Sequence, residues 1–306
     1  MELIADLPLA RFDTDRAAAL RADSEWLSRV WSADNTRVLV LNEGNVPVTD
    51  DVSLIWVKPD AIDLAFEVVE QCAVLLGLDS EHTYVALVND RTSIDAVAWV
   101  SLRGIGAQLS ARDVGLAIAA VAMNSWHSTH TYCPKCGNAT VLTQAGWARR
   151  CEHDNSDHYP RTEPAMIAAV NDADDRILLG RRNEWPEGWF STLAGFVEAG
   201  ESVEACVVRE VLEESGIQVS PSSLRYLGSQ PWPFPASLML GYRATAISTD
   251  IAREEAEMAE VRWYSKAEFE AACTDESLRL PNNSTIAFHL IQHWYGKPIP
   301  LEWTRK

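Results

Sequence analysis

The 306-residue chain has no apolar run of 18 residues, no internal repeat and no long low-complexity tract, and its basic residues are outnumbered. Without such a run, no segment qualifies as a membrane-spanning helix. With 26 Lys and Arg against 44 Asp and Glu, the formal charge of −18 argues against broad affinity for a nucleic-acid backbone, because nonspecific binding relies on cations that displace counterions. Six cysteines do not form a disulfide framework: Cys72, Cys206 and Cys273 lie scattered among apolar residues and are expected as small buried hydrophobes. The start, MELIADLPLARFDTDR, lacks the basic segment of a signal peptide, so a soluble, cytoplasmic protein is expected. What is present, 47% hydrophobic residues, is enough to fill two or three modest cores.

Residues 195–217 read GFVEAGESVEACVVREVLEESGI. Gly195 and Gly200 bracket a tight loop, and a helix is expected over 201–215, stopped by Gly216 in the left-handed conformation. Glu210 and Glu214 are one helical turn apart and Glu213 sits at i+3 from Glu210, so three carboxylates crowd together. Like charges at these spacings repel. A hard divalent cation, Mg²⁺ or Mn²⁺, offsets them by taking carboxylate oxygens and bridging to substrate phosphates, which suits attack of water on a phosphoanhydride. Arg209 is placed to orient the carboxylates by charge-assisted hydrogen bonds. An ordinary acidic surface helix would leave the glycines and the arginine unexplained.

Downstream, residues 229–237 read SQPWPFPAS. Three prolines in nine positions exclude a central strand or a helix. Pro231, Pro233 and Pro235 would hold Trp232 and Phe234 on display, a wall for a flat heteroaromatic ring. A stiff connector with a buried tryptophan is the plainer meaning of the segment taken alone.

Cys133-Pro-Lys-Cys136-Gly has the spacing of a zinc knuckle, and Cys151 lies where a zinc ribbon would place a further ligand. The fourth donor is open among His153, Asp154 and His158. Nitrogen partners thiolates more often than oxygen does in structural sites, so His158 is expected, returning from the following strand.

Residues 1–130 read as an α/β module with strand candidates at 37–41, 54–57, 84–88 and 96–101. Ser110 to Asp113 has the form of a capping box with Asp in place of Glu, leading into the small-residue helix GLAIAAVAMNSW. A ribbon over 131–162 is too short to be stable without a metal or neighbours. Over 163–306, AMIAAV and ILLGRR are the strands expected before the glycine loop, Asn171 to Asp175 makes the turn between them, and LMLGYRATAI and VRWYS follow. Arg181, Arg182 and the segment 185–189 could meet phosphate, with ordinary surface charge the simpler meaning.

The glutamate segment resembles the signature of the Nudix hydrolases, and SQPWPFPAS at this distance is similar to the mark of their NADH pyrophosphatase subfamily, the NudC type. The resemblance extends over 132–264, with only a loose match through TIAFHLI beyond it. It implies an α/β (α+β) chain whose last region is a Nudix α/β/α sandwich with a mixed sheet. It further implies that Glu210, Glu214, the Ala194 carbonyl and Glu257, with rivals in Glu254, Glu255 and Glu260, hold Mg²⁺ or Mn²⁺. One glutamate would serve as general base, and which one stays open among groups that titrate together. By the same resemblance Tyr159, Gln230, Pro231, Trp232, Pro233, Phe234, Pro235, Ala236, Ser237 and Ala287 contact substrate, the ribbon holds one structural Zn²⁺, and the chain is a homodimer. The family normally supplies a second C-x2-C in the ribbon, and here Asp154 stands at the missing cysteine. The implied activity is hydrolysis of NAD(H) to nicotinamide mononucleotide and AMP, with removal of an NAD cap from RNA 5′ ends as an extension. The rivals are another nucleoside diphosphate derivative, such as ADP-ribose or FAD, and a noncatalytic nucleotide sensor.

Overall fold

The computed structural model describes residues 3–89, 92–96 and 98–305, which divide into two compact units. One comprises 11–162 together with 233–236; the other comprises 3–10, 163–232 and 237–305. Residues 3–10 belong with the second unit: the Ile4 amide donates to the Leu227 carbonyl, and Leu7 enters that unit's core.

In the first unit the elements are α1 (Trp26–Trp31), β1 (Thr36–Val40), β2 (Val46–Val48), α2 (Phe66–Val69), β3 (Ala73–Leu78), β4 (Thr83–Leu87), β5 (Ala98–Val100), α3 (Leu102–Ile105), α4 (Ala111–Thr129), β6 (Thr140–Thr143), β7 (Ala148–Cys151) and β8 (Asp157–His158). Strands β1, β4 and β3 form one sheet with a parallel β1–β4 pair, β2 pairs with β5, and β6–β7–β8 form the antiparallel ribbon. The strand expected at 54–57 is reduced to isolated bridges of Leu54 to Val48 and Val57 to Val38. Of the expected strand 96–101, Val97 lies outside the described residues and 98–100 are paired.

Helix α4 starts as its cap predicts, with Ser110 Oγ accepting from the Asp113 amide at 3.1 Å. The reciprocal half of the capping box is replaced, because the Asp113 carboxylate instead takes Trp56 Nε1 and Arg112 Nε. Near its other end, buried His127 donates through Nε2 to the Gly146 carbonyl and accepts from Arg149 on β7, tying the helix to the ribbon. Burial, aided by the charge of Arg149, holds this imidazole down at about 4, so it stays neutral in that role.

The second unit holds one mixed sheet built from β9 (Glu163–Asn171), β10 (Ile177–Arg182), β11 (Leu193–Phe196), β12 (Arg225–Trp232), β13 (Ser237–Thr245) and β14 (Met258–Tyr264), in the order β12-β13-β9-β10-β14 with β11 also on β9. Only β13 and β9 run parallel. Alternate residues of β9 face opposite ways, as a pleated strand requires. Ile167 and Ala169 join a core with α6 (Lys266–Thr274) and α7 (Ile286–Tyr295), while Met166, Ala168 and Val170 join one with α5 (Val203–Ser215). The sheet is thus sandwiched between helices, with the acidic helix on one face and α6 and α7 on the other.

Candidate metal and catalytic site

Helix α5 begins two residues later than its composition suggests, at a Ser202 cap that accepts from the Ala205 amide, and ends at Gly216 with φ 74°. Cys206, Val207 and Val211 bury its apolar face, which fixes the rotation that delivers Glu210 and Glu214 toward β11. Gly195 on β11 has no positive φ, and its missing side chain serves contact instead. A Cβ there would lie 1.9 Å from Glu210 Cδ, so only glycine lets the carboxylate rest on the strand. Gly200, at φ 88°, makes the loop turn.

Arg209 organises the acidic face. Its Nε and Nη2 hold both oxygens of Glu201 at 2.8 Å, its Nη1 reaches Glu210 and Glu213 at 2.9 Å each, and Nη2 also donates to the Phe196 carbonyl. These bonds push the guanidinium well above its ordinary range. Glu210 moves up because burial dominates, opposed by Arg209 and reinforced by the charges of Glu213 and Glu257. Glu257, exposed just before β14, is among the charges that raise Glu210.

Glu214 is 3% exposed, and its Oε2 is buried with no hydrogen-bond partner among the described residues. Burial raises its carboxyl to about 7 in spite of Arg182. Arg182 Nη2 donates at once to the Ala194 carbonyl at 3.0 Å and to Glu214 Oε1 at 3.1 Å. The surface-charge meaning of Arg182 is therefore corrected: a register shift between Arg181 and Arg182 in the β10–β14 pairing re-aims the side chain. No sequence spacing signals a bulge.

The proline segment divides between the units. Gln230, Pro231 and Trp232 end β12, an edge strand as prolines demand; Pro233, Phe234, Pro235 and Ala236 form the tip, and Ser237 opens β13. Gln230 is fully buried and donates to the Ser284 carbonyl, so its side chain supports the hairpin. Arg103 stacks over the Phe234 ring at 4.5 Å, a contact that no local motif announces. Tyr159 is 57% exposed on the ribbon, while Ala287 lies inside the α6–α7 core at 5%.

In the ribbon, ligand-capable atoms of Cys133, Cys136, Cys151 and Asp154 lie within 4.8 Å of one another. His158, expected as the fourth donor, is not in this group: its Nε2 bonds Ser156 Oγ at 3.0 Å. Its place on β8, opposite Arg149, turns the ring toward that serine. Ser156 in turn bonds Asp154 Oδ1 through both amide and hydroxyl, leaving Oδ2 facing Cys133 Sγ at 3.4 Å. The Ser156 hydrogen bonds hold the Asp154 carboxyl far below its usual range. Burial pushes the Cys133 thiol up, but hydrogen bonds from Ser156 and the amides of Lys135 and Cys136 outweigh it and hold it at about 7. Three soft thiols and one oriented carboxylate suit Zn²⁺, whereas the all-oxygen cage around Glu210 and Glu214 suits a harder ion.

Comparison with known proteins returns three matched regions: a NADH pyrophosphatase-like rudimentary NUDIX domain over 28–126, a NADH pyrophosphatase zinc ribbon domain over 128–159 and a NUDIX domain over 161–282. The NAD-capped RNA hydrolase NudC of Mycobacterium bovis (strain BCG / Pasteur 1173P2) is 36% identical over 94% of this chain and 94% of its own length. The human NAD-capped RNA hydrolase NUDT12 is 38% identical over 61% of this chain and 43% of its own length. A solved NUDIX hydrolase from Nitrosomonas europaea aligns with a TM-score of 0.43 at 21% identity, covering 55% of this chain and 94% of that one.

Proposed function

This chain belongs to the Nudix hydrolases, in the branch that carries the NADH pyrophosphatase zinc ribbon, and from that premise we propose that it hydrolyses the diphosphate of NAD(H) and removes the NAD cap from RNA 5′ ends. The observation that carries the reading is the cage itself. Glu210 and Glu214 converge with the Ala194 carbonyl, and the buried Glu214 Oε2 has no partner among the described residues, an arrangement a divalent ion would complete. Mg²⁺ or Mn²⁺, held by Glu210, Glu214, Glu257 and the Ala194 carbonyl, would supply charge neutralisation and an activated water. In the reaction, water oxygen attacks one phosphorus, the bridging P–O bond breaks, and AMP and nicotinamide mononucleotide separate.

The chain's own residues divide the remaining work. Arg209 fixes Glu210 and Glu213 so that the carboxylate oxygens point inward, and the glutamate set accepts the proton that water loses. Phe234 provides a flat face for a base, steadied by Arg103. In the ribbon we assign Zn²⁺ to Cys133, Cys136, Cys151 and Asp154 in place of His158. We further propose a homodimer in the cytoplasm, on the resemblance of the glutamate segment and SQPWPFPAS to the NudC type. HPLC of products from the purified protein with NADH and Mn²⁺, against ADP-ribose and FAD, tests the activity. Nicotinamide mononucleotide and AMP are expected, and equal turnover of ADP-ribose would defeat the assignment.

A further inference from the structure

Arg182 lies outside the glutamate signature, and the reaction described above gives it no task. Its one Nη2 nonetheless touches the Ala194 carbonyl and Glu214 Oε1, oxygens of two groups assigned to the divalent ion. An incidental surface ion pair is a poor description. Glu214 has 3% of its side chain exposed, so this contact is at the floor of the site, and the bulge before Arg182 directs it there. Arg181, on the other side of the bulge, bonds the Trp185 carbonyl instead.

We propose that Arg182 is an internal counter-cation: it stands in the metal position of the metal-free chain, is displaced when the ion binds, and then turns to the substrate diphosphate. The inference rests on the reading of this cage as the metal site. A divalent ion held by the same carbonyl and carboxylate would lie beside the guanidinium, and their like charges repel at such short range. The displaced group stays tethered by its strand, and its planar fork matches phosphate oxygens. Ion and diphosphate then favour each other's binding, since the diphosphate takes up the arginine that the ion expels. Arg182 is thus a positioning residue with two alternative partners.

The test is Mn²⁺ binding to the zinc-replete full chain without nucleotide, followed by EPR of the free ion, in wild type, Arg182→Met and Arg182→Lys. Arg182→Met, which keeps the bulk and removes the charge, is expected to bind Mn²⁺ about tenfold tighter, with Arg182→Lys nearer to wild type. Equal or weaker affinity in Arg182→Met overturns the proposal. Should that variant not fold, ¹⁵N-arginine NMR of the wild type answers the same question. The Arg182 guanidinium signal must change on saturation with Mg²⁺, and an unchanged signal overturns the proposal. Neither readout depends on NADH turnover, so failure here leaves the proposed reaction standing, whereas absence of Mn²⁺ binding in every variant sinks both.

Discussion

The chain carries two places built for cations, and they are held together by different means. Around Glu210 and Glu214 the negative charges already have protein cations, Arg209 and Arg182, and two apolar cores flank the sheet that positions them. In the ribbon the donors are held by hydrogen bonds from Ser156, Asn138 and the Lys135 amide, on three short strands. The first place therefore persists without metal, and binding there exchanges one cation for another. The second has little apolar burial of its own, so binding its ion and ordering its strands are one event.

Removing zinc should do the most damage. Chelation under reducing conditions, or Cys136→Ser, withdraws on the order of 10 kcal/mol of binding free energy from the ribbon. The expected result is loss of zinc and of amide protection over 131–162, read by hydrogen exchange, with protection of β9 and β10 retained. Asp154→Ala should lose zinc likewise while His158→Ala keeps it. A His158→Ala protein devoid of zinc would restore the histidine as ligand.

Next in size is Glu214→Gln. Turnover should fall by about 10²- to 10³-fold, because the charge facing the ion is removed while the shape remains. Unlike the ribbon substitutions, it should leave the metal-free protein as stable as before or more so at pH 8, since a buried carboxylate no longer has to ionise. A large drop in its melting temperature would show that the cage is a structural element like the ribbon.

That contrast explains what could be read from residues alone. The cage was legible because positions 210, 213 and 214 are neighbours on any helix, and Gly216 could only stop it. Arg182 was not, because its partners are set by a bulge between distant strands, with Ala194 and Glu214 lying 12 and 32 residues away in the chain. The knuckle was legible from Cys133 and Cys136, but the fourth donor depended on hairpin register, which sends His158 to Ser156. Strand β3, with AVLLGL, has no alternation to reveal it, as a buried strand and a buried helix look the same over six residues. The pairing of Ile4 with Leu227 has no local signal at all.

Ser156→Ala sharpens the ribbon side of the comparison. It removes the hydroxyl that orients Asp154 and contacts Cys133 but keeps every proposed ligand, so zinc affinity should fall about 10- to 100-fold without loss of fold at saturating zinc. Competition with a chromophoric chelator measures it. An unchanged affinity would mean that Asp154 is not a ligand whose direction matters.

The smallest effect concerns pH, where the two places should respond with opposite sign. Glu214 has a folded-state pKa of about 7 against 4.5 unperturbed, so the metal-free folded state binds the extra proton between those values. Its stabilising contribution is complete below about pH 4.5 and is lost as pH rises through 7, with a slope of at most about 1.4 kcal/mol per pH unit. Ion affinity runs the other way, rising toward pH 7 and flattening above it, because the ion needs the carboxylate. Asp154 has a depressed pKa, so its contribution is present above the usual carboxylate range and lost only in strong acid. Between pH 8 and 6, zinc-replete protein freed of Mg²⁺ should therefore gain thermal stability relative to Glu214→Gln, although its Mn²⁺ affinity weakens. If wild type and Glu214→Gln differ by the same amount at both pH values, the buried carboxyl is not the group that titrates, and the opposite pH signs of the two places disappear.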